Sequence, residues 1–226
     1  MNKKQTKPKE PLANKAYREL KRKILDNELH TGSHMTEQEV STLLEMSRTP
    51  TREAMLQLAR EGLIELKPRH GMRVKPVSIE DMKEIYEILT GLESTAAALC
   101  ATNGLNNDQL SLMRESVTAM DEALQQDDLI QWAAADERFH RYLVEFSDNQ
   151  RLQKLVSNFI EQSHRVRMLT LKMRPKPNSS NKDHLDVINA IESNNAETAR
   201  LIHHQHREKS GRMLISLLEN FGLNHM

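Results

Sequence analysis

The sequence predicts a mainly α protein in two parts: a three-helix unit closed by a small β-hairpin, followed by an antiparallel bundle of six helices. Three observations predict it. Apolar residues recur every three or four positions along most of the chain, strand-like pairing is confined to the two sides of Pro68-Arg69-His70-Gly71, and helix-capping residues stand where the periodic segments begin. Charge divides the chain too. Residues 1–76 hold 16 Lys+Arg against 10 Asp+Glu, whereas the other 150 residues hold 16 against 22, so a formal net charge of zero joins a basic part to an acidic one. The expected organisation is a flexible basic tail over residues 1–10, a first domain over 11–76 and a second over 77–226.

Within the first domain, residues 13–27 carry Tyr17, Leu20, Ile24 and Leu25 at helical spacing. Thr36-Glu37-Gln38-Glu39 is a capping box opening a short helix through about residue 45. Met46-Ser47-Arg48-Thr49-Pro50-Thr51-Arg52 then opens a third helix, with Thr49 as cap and Pro50 in the first turn, where its missing N–H is harmless. Arg48 and Arg52 fall one turn apart on one side, each a planar fork able to pair with guanine O6 and N7. Residues 63–66 and 72–74 pair around the Pro68–Gly71 turn. The order helix, helix, recognition helix, β-wing is that of a winged helix-turn-helix that reads DNA, and the basic balance suits a phosphate backbone. Lys3, Lys4, Lys7 and Lys9 read as a solvated tail.

From residue 78 onward the pattern is helical throughout. Ser78-Ile79-Glu80-Asp81 caps the first bundle helix, whose apolar face is Met82, Ile85, Tyr86, Leu89, Leu92, Ala96 and Leu99, with Gly104 as the stop. Further helices are expected over 107–126, 128–146, 150–172, 181–193 and 196–220, with Asp127 and Asn195 as N-caps and a proline- and serine-rich loop over 174–180. Cys100, the single cysteine, lies in an alanine-rich helix as a buried thiol, so no disulfide framework exists within one chain. The first residues lack the apolar core of a signal peptide, and no later stretch approaches the roughly 18 apolar residues that span a bilayer, which points to the cytoplasm.

Asp136 and His140 stand four apart and share a helix face, with Phe139 beside them as a core anchor. His184 and His206 lie on later helices. Three imidazoles and a carboxylate suit a divalent ion such as zinc or nickel, although an Asp/His pair at this spacing also serves as an ordinary surface pair.

Residues 43–64, Leu-Leu-Glu-Met-Ser-Arg-Thr-Pro-Thr-Arg-Glu-Ala-Met-Leu-Gln-Leu-Ala-Arg-Glu-Gly-Leu-Ile, resemble the DNA-binding signature of the GntR superfamily of bacterial regulators. The bundle resembles the ligand-binding domain of the FadR subfamily, and its six-helix count is closer to the VanR-type branch. The resemblance implies DNA contacts at Ser47, Arg48, Thr49, Thr51, Arg52, Arg69, His70 and Gly71, the last as a wing glycine that approaches the minor groove. It also implies metal ligation by Asp136, His140, His184 and His206, while His203, His204 and His164 are left open. Two positions depart from the pattern. Leu89 stands where many relatives have an arginine for an effector carboxylate, and Gln38 where many have a basic side chain.

The function so implied is a sequence-specific transcriptional regulator, a repressor, binding a near-palindromic operator as a homodimer and modulated by a small-molecule effector such as a carboxylate. Two recognition helices related by a twofold axis read half-sites about one helical turn apart. Gly91, Thr95 and Ala98 form a small-residue side of the first bundle helix, suited to close contact within the domain or between subunits. Two alternatives use the same ligands: a metal-dependent hydrolase, which would lack a general base and a His-Glu-x-x-His motif, and a DNA-binding protein whose metal is structural or is itself the signal. No enzymatic activity is expected.

Overall fold

The computed structural model describes residues 10–221, and the predicted basic tail, with Lys3, Lys4, Lys7 and Lys9, lies outside them. The chain divides after Pro76 into two compact units.

In the first unit, α1 (Leu12–Leu25) presents Ala16, Leu20 and Ile24 to the interior, one per turn, and packs on α3 (Arg48–Arg60). Between them, α2 (Glu37–Leu43) begins at the predicted capping box: Glu39 N–H donates to Thr36 Oγ1 at 3.2 Å, and Thr36 N–H donates to Glu39 Oε2 at 2.7 Å. Glu45 takes a left-handed φ of 52°, and Met46 N–H reaches back to Ser41 O, so the chain reverses tightly into α3. The residue that precedes α3 is Ser47, not Thr49. Pro50 is its third residue, a place as free of N–H bonding as the first.

Three strands complete the unit: β1 (His34–Met35), β2 (Ile64–Lys67) and β3 (Gly71–Val74), antiparallel in the order β1-β3-β2. The hairpin register pairs Ile64 with Val74 and Lys67 with Gly71, while β1 pairs His34 with Arg73. β1 was not foreseen, because two residues are too few to show alternation. Leu58, Ile64, Met72 and Val74 close the core beneath the sheet.

The second unit holds six α-helices among the described residues: α4 (Ile79–Asn103), α5 (Asn107–Gln125), α6 (Leu129–Phe146), α7 (Gln150–Thr170), α8 (Asn178–Glu192) and α9 (Ala196–Asn220), with a 3₁₀ turn at Leu171–Met173. No helix among the described residues is long and apolar enough to cross a membrane. Capping boxes open α4 (Ser78 with Asp81) and α5 (Asn106 with Gln109), and Asn195 caps α9. Asp128, not Asp127, caps α6. Asp127 instead adopts a φ of 58° and terminates α5. α8 starts three residues earlier than its predicted beginning at 181, directly after Pro177.

α4 runs along α9 through the length of the bundle. Gly211 makes their close approach possible, since a Cβ there would lie 2.9 Å from Cδ1 of Tyr86. The buried stripe of α4 also differs from the expected one. Glu93, Ala97 and Cys100 are buried, whereas Leu92 and Leu99 are only half-buried. A carboxylate inside this stripe is the first sign of a polar centre.

Candidate functional site

On the first unit, the N-terminal end of α3 and the wing border one cleft, lined by Arg48, Arg52, Lys67 and Arg69. Arg52 is exposed, as are Ser47, Thr49, Arg69 and His70. Arg48 is held: its Nε and Nη2 donate to Gln38 Oε1 at 3.0 and 2.7 Å. Gln38, at the position where a basic side chain was expected, therefore aims an arginine rather than supplying a charge. One expectation changes. Thr51 is fully buried, its hydroxyl donating to Ser47 O at 3.0 Å, so it stabilises the start of α3 from inside. Gly71 is also required by the fold itself: with φ at 81°, a Cβ would sit 2.2 Å from Met35 O and 2.6 Å from Thr36 Cα.

In the second unit, the four predicted ligands converge. Asp136 and His140 come from α6, one turn apart, and are anchored by Phe139, which is fully buried between them in sequence. His184 comes from α8 and His206 from α9. His140 Nε2 lies 3.4 Å from His184 Nε2, and Asp136 Oδ1 lies 3.7 Å from each. One ring nitrogen each from His140, His184 and His206 falls within a sphere of mutual distance 4.8 Å. Ligands about 2.05 Å from a tetrahedral zinc are separated by about 3.3 Å. The spacing of the donor set fits a divalent ion, and Asp136 Oδ1 is buried beside it with no hydrogen-bond donor.

Partners behind these groups fix their orientation. His140 Nδ1 contacts Glu93 Oε2 at 2.7 Å, and His206 Nδ1 contacts Asp183 Oδ2 at 3.4 Å, leaving Nε2 of each ring for the centre. Asp136 Oδ2 accepts from Arg167 Nη2 at 2.8 Å. His184 Nδ1 is buried without such a partner. His203, left open by the sequence, is fully buried, with its Nε2 3.1 Å from Glu93 Oε2; it belongs to the layer behind His140. With Glu93 and His140 it forms a second group of ligand atoms within 4.8 Å. His204 is exposed near Glu208, and His164 faces Glu137 at 3.3 Å; neither borders the cavity beside His140 and His206.

The electrostatics follow from this crowding. Burial would raise the Glu93 carboxyl, yet Arg207 and His140 hold it well below the usual range. Asp136 is likewise kept ionised against burial by His140, Arg167 and His184. Burial alone would depress His140, but Glu93 and Asp136 raise it. Burial drives His203 down to about 3, against the pull of Glu93, and lowers His184 and His206 as well.

Asp136, His140 and His206 open into a cavity of about 210 Å³, bounded also by Tyr86, Trp132, Arg167, Arg174 and Arg207. Leu89, the substituted arginine position on α4, is fully buried in the core. Positive forks reach the cavity from α7, α9 and the loop before α8 instead. Neither Glu93 nor these arginines could be picked out in the sequence, because each stands alone on its segment.

Residues 84–209 match the FCD domain, and residues 12–74 match the gntR family of bacterial regulatory proteins. The chain belongs to the GntR family. Among relatives of this GntR-family protein, an uncharacterized HTH-type transcriptional regulator of Agrobacterium vitis is 39% identical over 131 residues, covering 57% of this chain and 77% of that one. The HTH-type transcriptional repressor RspR of Escherichia coli is 26% identical over 205 residues, covering 91% and 90%. The solved structure of E. coli McbR/YncC has a similar fold, with a TM-score of 0.77 at 19% identity over 92% of this chain and 99% of that one. This GntR-family chain is thus a DNA-binding transcriptional regulator with an FCD domain, not an enzyme, which removes the hydrolase alternative.

Proposed function

We propose that this regulator is a repressor that binds a near-palindromic operator as a homodimer and responds to a small anion taken up at a metal-containing cavity in residues 77–226. The observation that carries this reading is the convergence of Asp136, His140, His184 and His206, three of which border a cavity that also receives three arginines. A divalent ion, zinc or nickel, held by these four residues would offer an open coordination position to an oxygen-donor ligand. Glu93 and Asp183 hold His140 and His206 in orientation, Arg167 secures the second oxygen of Asp136, and Tyr86 and Trp132 supply apolar walls. RspR, a repressor by name, supports the repressor reading.

The homodimer is supported by α4. Gly91 is exposed with nothing within 4 Å of a Cβ built on it, so the fold of one subunit gives no reason for the glycine. Close packing against a second copy does.

An effector acts only through unequal affinity for DNA-competent and DNA-incompetent states. The test is fluorescence anisotropy on an operator selected by the full-length protein, with metal loaded or chelated, with and without a panel of small carboxylates. The proposal expects operator affinity to change only when metal and a carboxylate are both present. A response to metal alone would instead make the ion the signal, and no response to either would reject ligand control at this cavity. Light scattering on the same sample tests the dimer.

A further inference from the structure

Three arginines border the cavity, but only two have a carboxylate. Arg167 Nη2 donates to Asp136 Oδ2 at 2.8 Å, and Arg207 Nη2 lies 3.4 Å from Glu93 Oε1 while its guanidinium stacks over Tyr86 at 5.0 Å. Arg174 has no acidic partner among the described residues. Its Nη2 donates to Thr170 Oγ1 at 2.8 Å and to Arg167 O at 3.4 Å, both neutral, and its Nε is buried without an acceptor. Burial pushes the Arg174 guanidinium below its ordinary range, with neighbouring Arg167 and Arg207 adding to the cost. A guanidinium does not lose its proton near neutral pH, and the Asp136 carboxylate that offsets part of the Arg174 charge from a distance is already bound to Arg167.

Its placement directs that charge. Arg174 follows the 3₁₀ turn in extended conformation, in the segment Arg174-Pro175-Lys176-Pro177, where two prolines limit the freedom of the backbone. Lys176 of this segment is tied to Asp127 at 2.5 Å, a direct ion pair of the kind Arg174 lacks among the described residues. Both residues border the same cavity as His140 and His206.

We propose that Arg174 is a second anion-binding pole of the cavity, so that the effector is a small dianion: one anionic group at the histidine–aspartate centre, and a carboxylate or phosphoryl group on the Arg174 fork. This rests on the cavity being the effector site. A volume near 210 Å³ lies below the usual range for drug-sized ligands and suits a compact metabolite. A planar guanidinium pairs with either kind of oxyanion, and partial burial strengthens each bond.

The experiment is isothermal titration of metal-loaded full-length protein with succinate, phosphoglycolate and the monoanion butyrate, in wild type, Arg174→Gln and Arg174→Lys. The expected result is that at least one dianion binds tighter than butyrate by on the order of tenfold or more, that Arg174→Gln abolishes the difference, and that Arg174→Lys keeps part of it. Succinate and phosphoglycolate separate a carboxylate from a phosphoryl partner. Equal affinity for butyrate and both dianions, or a dianion preference that survives in Arg174→Gln, overturns the second pole but leaves the cavity as an anion site. Failure of all three to bind wild type overturns the pole together with the reading beneath it. Thermal unfolding of both variants, with wild-type-like transitions, ensures that lost preference is not lost fold.

Discussion

His140 and Glu93 are joined through Nδ1 and Oε2 at 2.7 Å, and this buried contact turns the other ring nitrogen of His140 toward His184, 3.4 Å away. The same Glu93 oxygen meets His203, and its second oxygen faces Arg207. One carboxylate on α4 thereby ties α6 and α9 together behind the proposed ligands. Glu93→Gln removes the charge from this junction and leaves Arg207 buried without a counter-ion. The expected cost is about 3–5 kcal/mol of bundle stability and roughly tenfold to hundredfold in metal affinity. Chemical denaturation reads the first and competition with a chromogenic chelator the second; wild-type metal affinity in a folded variant would show that Glu93 does not orient His140.

Acidification should weaken the metal-free bundle. His203, held by burial near a pKa of about 3 despite Glu93, and His184 and His206, both lowered chiefly by burial, bind fewer protons folded than unfolded. Their neutral burial is unopposed above the ordinary value of 6.5 and is penalised progressively as pH falls toward 3. Glu93 and Asp136, whose carboxyls are lowered, act in the same direction below the ordinary carboxylate range. His140, raised by Glu93 and Asp136 against burial, acts oppositely: its contribution is present below 6.5 and lost as pH rises through the raised value. Three histidines and two carboxylates outweigh one. The Tm of chelated protein is expected to fall from pH 6.5 to pH 4, and a flat or rising Tm would contradict these assignments.

Gly71→Ala tests why the wing needs a glycine. A Cβ 2.2 Å from Met35 O, on a backbone at φ 81°, is strained whether or not DNA is present. The substitution is expected to destabilise the first unit by on the order of 1–3 kcal/mol, seen as earlier unfolding without DNA. Unchanged stability with weakened operator binding would return the glycine to a groove-facing role.

Arg52→Ala should lose about 1–3 kcal/mol of discrimination between the selected operator and scrambled DNA, the value of a bidentate base contact. Gln38→Ala should lose less, because it frees Arg48 without deleting it. Anisotropy titrations with both DNAs measure the two differences. Discrimination intact in Arg52→Ala would remove Arg52 from base reading.

Much of this architecture is legible in the sequence because its signals are local. The Thr36/Glu39 and Ser78/Asp81 boxes are complete within four residues, and Asp136 and His140 announce a shared face by their spacing. Asp136 therefore carries information through its neighbour. Glu93 does not, since a lone carboxylate on a charged helix looks like any solvated one until α6 and α9 fold against it. The same holds for Arg167, Arg174 and Arg207, which reach one cavity from three segments. At the caps, Asp127 and Asp128 are chemically alike, and only the backbone reversal at Asp127 decides that Asp128 bonds to α6. Thr51 illustrates the converse: adjacent to Arg52 on the chain, it lies on the inner side of α3.

The most direct measurement is elemental mass spectrometry of untagged full-length protein purified without chelator, beside a folded His140→Ala variant. Asp136, His140, His184 and His206 predict about one divalent ion per chain in the wild type and its loss in the variant. Wild-type protein that holds no ion, even after incubation with zinc or nickel and removal of excess, would contradict the metal centre and reduce the four residues to a buried polar cluster.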